Sequence, residues 1–321
     1  MDIDLLGRTT VALHVITGAG ATGSATALLL AEAGEHVRIV TRSGGGPEHP
    51  LVERVAADAS DPDALTALVE GARTLYNCAA PAYQDWRTAF PPLAAALLTA
   101  AERTGADYVM LGNVYGYGPF DGPLTPDLPM APTTAKGRVR AAMWEDALAA
   151  HRAGRIRVAE VRASDYLGAD ALSLFTLMAA PAIRAGEVAV VPADPDVPHS
   201  WSYTGDVART LVAVGTSTRP EVWGRAWHVP SVSELPLRGL ADRLAAAAGA
   251  PPARVASMSD AELAALAAAD DLMAEVAEMR YLGDEPLFLD ASETVAAFGV
   301  RPTGLEVVLA EMARTPVHSP V

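Results

Sequence analysis

The sequence predicts a doubly wound α/β fold, a parallel Rossmann sheet with helices on both faces, joined to a smaller, mostly helical C-terminal substrate lobe. Three observations predict it. Apolar strand-like runs alternate with helix-like segments through the first half of the chain, a glycine turn links the first run to the first helix, and beyond Asp165 the alternation gives way to Ala-rich helix.

The first unit is the most specific. Val11, Leu13, Val15 and Ile16 form an apolar run that enters a loop with Gly18, Gly20 and Gly23; a helical segment follows through Leu28 to Glu32, then a second strand at Val37 to Val40. Each glycine has a separate task in a dinucleotide site. Gly18 permits the tight turn, Gly20 lets bare backbone approach a pyrophosphate, and Gly23 allows the helix to pack closely on the strand, while the N–H groups of Ala21 and Thr22 at the helix start face phosphate charge.

The second strand ends in Thr41-Arg42-Ser43, where an NAD site places Asp or Glu for the ribose 2′-hydroxyl. No carboxylate stands there. The Arg42 guanidinium, with Ser43 beside it, suits a 2′-phosphate, so NADP(H) is expected over NAD(H).

The remaining elements follow in order. Val52 to Ala57 reads as a third strand closing at Asp58 and Ala59, and Ser60-Asp61-Pro62 as a capped helix start. Thr74 to Ala80 is a fourth strand ending in Ala79-Ala80-Pro81; a long helix reaches about Arg103, and Tyr108 to Leu111 is a fifth strand leading into GNVYGYGP. Thr134 to Ala153 is helical, and Arg155 to Val161 is a sixth strand ending in Arg162-Ala163-Ser164-Asp165. Ligands in such sheets lie beyond the carboxyl ends of the strands, which makes Asp58, Ala59, Ala79, Ala80, Pro81, Ala163 and Ser164 cofactor candidates. Ala171 to Ala185 is expected as helix, Val188 to Val191 as strand, Asp206 as a helix cap, and Pro230 onward as mostly helix. This divides the chain into a dinucleotide domain, 1–168 completed by 199–230, and a substrate lobe, 169–198 and 231–321.

Composition narrows the function classes. With 24 basic against 39 acidic residues and a net charge of −15, neither nucleic acid nor an anionic membrane is an expected partner. The lone Cys78 excludes an internal disulfide and a thiolate metal cage, no His spacing suggests a metal, and the acidic start MDIDLLGRTT lacks the basic region of a secretory signal. A cytoplasmic enzyme with a small-molecule substrate is expected, with a homodimer as the default assembly.

TGAGATG, the later NVYGYGP, the Asp58 strand end, the Ala79-Ala80 step and VRAS together resemble the extended short-chain dehydrogenase/reductase superfamily, in particular its NAD-dependent epimerase/dehydratase group, over nearly the whole chain. The resemblance implies a dinucleotide-binding first part, a C-terminal substrate pocket, and a catalytic set of Ser or Thr before VYG plus Tyr-x-x-x-Lys. This chain departs from that set. Leu111 stands in the Ser slot, Thr134 and Arg138 lie near the Tyr and Lys slots, and taking Lys136 as the lysine puts Pro132 at the tyrosine.

Lys136 is nevertheless the only lysine beside 23 arginines. One reading is a compact ammonium that contacts ribose hydroxyls and stabilises a neighbouring phenolate; the other is a surface lysine without a role. Tyr117, beyond the VYG turn and free to face substrate, and Tyr115 within it are the candidate acids; Asn113 can bond a carbonyl in the serine's stead. Tyr83, Asp165, His199 and Trp201 are the substrate candidates, with lobe-interface packing as the other reading of the His199–Tyr203 stretch. The implied chemistry is hydride transfer between nicotinamide and a carbonyl or alcohol carbon, as an NADPH reductase, as an epimerase or dehydratase that recycles its cofactor, or as a cofactor-sensing protein without turnover.

Overall fold

In this computed structural model, which describes residues 11–314, Val15 and Ile16 of β1 (Leu13–Thr17) are both fully buried, one against each face of a parallel sheet. The chain continues through α1 (Ala21–Glu32), β2 (His36–Thr41), β3 (Val52–Ala56), α2 (Pro62–Val69), β4 (Ala72–Asn77), α3 (Trp86–Thr104), β5 (Asp107–Asn113), α4 (Ala135–Arg152) and β6 (Val158–Ala163). Then come β7 (Asp165–Leu167), α5 (Ala180–Ala185), β8 (Val188–Val191), β9 (Trp201–Tyr203), α6 (Thr204–Gly215), β10 (Arg225–His228), α7 (Leu237–Ala248) and β11 (Arg254–Ser257). The last helices are α8 (Asp260–Ala269), α9 (Asp271–Glu278), α10 (Tyr281–Asp284), α11 (Ser292–Phe298) and α12 (Leu305–Arg314).

Seven parallel strands pair in the order β10-β6-β5-β4-β1-β2-β3. The winding reverses between β1 and β4, and ligands of such sheets bind at that reversal. Strand alternation supplies the two cores: Val15, Val40 and Leu75 face α2, α3 and α4, while Ile16, Ile39 and Tyr76 face α1 and α6. Each such buried side chain stabilises by about 1.5–3 kcal/mol. That outweighs the local penalty of Pro91 and Pro92 inside α3, where Phe90, Leu93 and Leu97 are all buried.

A third core gathers Phe175, Ile183, Val191, Leu240, Leu244, Val308 and Leu309, with the small parallel pairs β8–β11 and β7–β9 at its margin. Among the described residues no helix is long and apolar enough to cross a membrane. The acidic first ten residues lie outside the described residues.

Several boundaries differ from expectation for local reasons. The fourth strand stops at Asn77, before the Ala79-Ala80-Pro81 turn, and the sixth begins at Val158 and runs to Ala163. Arg155 and Arg157 instead pair outward with Glu102 and Asp107. The helix expected from Ala171 is shorter and broken: Phe175–Ala179 winds as a wider π turn before α5. Pro181, which has no N–H to donate to that turn, lies at the junction. β11 interrupts the expected helical tail.

Asp206 is not a cap. The helix begins at Thr204, and Asp206 lies fully buried in its first turn, accepting Thr303 N–H at 2.7 Å and the Thr303 hydroxyl at 2.6 Å.

Candidate active site

The glycine turn has the geometry its spacing requires. Gly18 adopts φ +89°, and a Cβ there would lie 2.7 Å from the Ala79 backbone, so the ends of β1 and β4 touch at the winding reversal. A Cβ on Gly23 would fall 2.1 Å from the Gly18 carbonyl oxygen. Above Gly20 there is nothing within 4 Å. Gly20 is also the N-cap of α1, no side chain caps that helix, and its first turn holds no carboxylate. The turn is a cradle of backbone donors with open space above it, and it fits a pyrophosphate.

Arg42 and Ser43 are exposed at the end of β2. Asp58, exposed at the end of β3, is turned onto its own loop, where it accepts Ser60 N–H at 2.9 Å and the Ser60 hydroxyl at 2.8 Å. These bonds, with Arg42 as a lesser cause, hold its carboxyl below the usual range. Ala80 is exposed, Ala59, Ala79 and Pro81 are half-buried, and Ala163 and Ser164 are buried under the end of β6.

Around the ends of β4, β5 and β6 lies a polar-aromatic cluster. The Tyr83 hydroxyl donates to the Tyr115 hydroxyl at 3.3 Å, and Trp86 stacks near both rings. Burial pushes the Tyr83 and Tyr115 phenols well up. Asn113 does not aim its oxygen outward; Oδ1 accepts Tyr115 N–H at 3.1 Å and closes the turn. His199 Nε2 sits 3.1 Å from Asp165 Oδ2 and 3.4 Å from Ser164 Oγ. Trp201 is a correction to the substrate set: it is 4% exposed, packs edge-on against Phe175, and donates Nε1–H to the Leu235 carbonyl at 2.9 Å. It belongs to the third core, which is the packing reading of that stretch.

Tyr117 is the second correction. It does not face solvent or a substrate space but is buried, its hydroxyl accepting from Arg162 Nη1 at 2.5 Å and donating to His228 Nε2 at 2.7 Å. Arg162 in turn pairs with Glu160 at 2.6 Å, and burial lifts the phenol to about 12. The group is a structural brace beneath the 115–117 turn. Tyr117→Phe should lower the unfolding free energy by about 1–3 kcal/mol, since it leaves a buried acceptor and donor unmatched. Urea denaturation checks this, and an unchanged midpoint contradicts the brace.

Lys136 lies in the first turn of α4, whose Thr134 cap accepts Gly137 N–H at 3.1 Å. Gly137 is required there because a Cβ would sit 2.5 Å from the Tyr115 carbonyl. The Lys136 side chain is fully buried, its ammonium 4.3 Å over the Tyr83 ring and ion-paired with Glu275 and Glu278 of α9. Burial pulls it down to about 8, against the opposing pull of Glu278. Sequence reading missed these two glutamates, and also Arg140, whose guanidinium stacks on Trp86 and Phe90 and donates to the Leu111 carbonyl at 3.2 Å. The only available signal for the former was Glu275-x-x-Glu278, one helical turn apart.

Residues 14–229 match the sequence profile of the NAD dependent epimerase/dehydratase family. The chain belongs to that family. Solved structures agree on the fold of this epimerase/dehydratase member. A UDP-glucuronic acid 4-epimerase from Bacillus cereus in complex with NAD superposes with a TM-score of 0.76 at 16% identity, over 94% of this chain and 95% of that one. A UDP-glucose 4-epimerase from Brucella ovis, also with NAD, gives 0.75 at 19%, over 94% and 98%. A dTDP-glucose 4,6-dehydratase from Streptomyces venezuelae with NAD bound gives 0.75 at 21%, over 94% and 96%. No curated protein is significantly similar in sequence. Within the family's frame, this member has half-buried Pro132 where its own spacing from Lys136 puts the tyrosine.

Proposed function

We propose that this epimerase/dehydratase family member is an NADPH-preferring reductase of small carbonyl compounds. The observation that carries the cofactor preference is Arg42: an exposed guanidinium at the end of β2, with no carboxylate on that strand end and with Asp58 occupied by Ser60. Gly18, Gly20, Ala21, Thr22 and Gly23 hold the pyrophosphate, Arg42 and Ser43 the 2′-phosphate, and Asp58 and Ala59 border the adenine. Ala79, Ala80, Pro81, Ala163 and Ser164 leave room for the nicotinamide half, and Lys136 meets its ribose. Bound there, the dinucleotide supplies a hydride. Tyr83, Tyr115, Asp165 and His199 line the substrate side, with the amide of Asn113 as a donor, and residues 169–198 and 231–321 form the substrate lobe.

Charge supports a small substrate over a nucleotide sugar. Arg238 is engaged bidentately by Asp196 and Arg243 donates one bond to Glu306, exposed pairs that a diphosphate would have to displace, which leaves Arg184 as the further candidate cation of that lobe. A cytoplasmic setting is the compartment, and a homodimer the assembly, to test.

The test is a titration with NADPH and NADH, followed by carbonyl compounds and nucleotide sugars, with nicotinamide absorbance and product stereochemistry recorded. Substrate-dependent NADPH oxidation is expected. Inversion without net cofactor change would instead make the protein an epimerase, and binding without turnover a sensor. Arg42→Ala should weaken NADPH at least tenfold more than NADH, the loss of a charge-assisted phosphate contact worth about 1.5–3 kcal/mol. Equal losses would remove the 2′-phosphate assignment.

A further inference from the structure

The sole lysine of the chain is sealed in, and α9 seals it. Glu275 and Glu278 both pair with the Lys136 ammonium, Glu278 at 3.7 Å. Glu278 also accepts Ala135 N–H at 2.6 Å, at the first residue of α4. Arg87 reaches the same two carboxylates at 3.9 and 3.6 Å. The charged and titratable groups around the ammonium are therefore Glu275 and Glu278 from α9, Arg87 from α3, and the Tyr83 ring.

Little apolar burial holds this segment down. No residue within α9 is buried, Leu263 is the one buried residue of α8, Met279 at the C-terminal end of α9 is 6% exposed, and Leu266 and Leu272 are 42% and 46% exposed. Elements with few buried apolar contacts open at a free energy well below that of global unfolding. The ion pairs also compete with any ligand that needs the ammonium.

We propose that α9 is a latch: in the free protein Glu275 and Glu278 occupy Lys136, and a dinucleotide binds by taking the ammonium from them, which releases α9. The second half of this statement rests on the cofactor reading above; the first half does not. Because the two events exchange one ammonium, they are linked reciprocally, and weakening the latch strengthens dinucleotide binding.

A single lysine makes the latch directly measurable. Acylation at pH 7.5, where the ion pairs with Glu275 and Glu278 are formed, read by intact mass, reports access to Lys136, with the α-amine as the second site. The isosteric double variant Glu275→Gln/Glu278→Gln should raise the Lys136 labelling rate about tenfold or more and tighten NADPH about five- to tenfold. The variant Asp271→Asn/Glu285→Gln removes the same charge from exposed carboxylates outside the Lys136 contacts and should do neither.

Unchanged labelling in the Glu275/Glu278 variant overturns the latch. Faster labelling with unchanged dinucleotide affinity overturns the competition, as does equal tightening in the control variant. If neither NADPH nor NADH binds any of these proteins, the cofactor reading fails and the competition with it, while the labelling rates still decide whether α9 shields Lys136.

Discussion

Lowering the pH from 7.5 to 4.5 should remove roughly 5 kcal/mol from the unfolding free energy, with two histidines responsible. His14 is fully buried on β1 with neither ring nitrogen bonded among the described residues, and His228 is fully buried on β10 between Tyr117 and the Asp290 carbonyl. Burial first, then Arg73 for His14 and Arg162 for His228, lowers them to about 4 and about 3. Both folded values lie below the unfolded 6.5, so each ring favours the fold only while neutral. That stability is present above pH 6.5 and is lost as the pH falls toward the folded values, about 2–3 kcal/mol per histidine by pH 4.5. Urea unfolding at both pH values, on the parent and on His14→Phe, separates the contributions: the variant should lose about half of the pH dependence, and an undiminished slope would clear His14.

Gly20→Ala and Gly23→Ala should part company. Gly20 has φ −68° and ψ −177°, a conformation open to alanine, and free space beyond it, so the variant should melt within about 2 °C of the parent. Its methyl nonetheless stands over the donor cradle, and NADPH binding should fall about a hundredfold or more. Gly23→Ala sets a methyl 2.1 Å from the Gly18 oxygen; α1 must lift off the turn, with about 1–3 kcal/mol lost in stability and binding lost with it. Differential scanning fluorimetry with and without NADPH reads both quantities. A Gly20→Ala protein that still binds normally would falsify the pyrophosphate assignment at this turn.

The legible part of the molecule is the part written in neighbouring residues. Strand, glycine turn and helix from Leu13 to Glu32 depend on spacing within one unit, as does the Asp61 cap with Pro62. The illegible part is set by which distant group a side chain meets. Tyr117 reads as free because nothing near it in sequence claims its hydroxyl; Arg162 on β6 and His228 on β10 do so once the sheet forms. Trp201 reads either as a pocket wall or as interface packing until Phe175 and Leu235 close on it and decide for packing. Lys136 carries a visible signal, being the only ammonium, yet its partners lie on a helix more than a hundred residues later, a separation over which no periodicity speaks.

The Asp206–Thr303 contact bears on how the protein is made. Six strands of the main sheet are complete once Ala163 has been synthesised, and β10 completes the edge at His228. Asp206, however, is fully buried in α6, and its Oδ2 finds its donor only at Thr303 N–H. A nascent chain grows from its N-terminus at about 5–20 residues per second, so for several seconds this carboxylate has no such donor and α6 has reason to stay loosely docked. Settling of α6 onto the sheet is thereby deferred until the final segment emerges from the ribosome. Chains terminated before residue 303 keep Arg209 as partner of this buried carboxylate but lack both Thr303 donors, so α6 should dock less firmly in them than in the full chain.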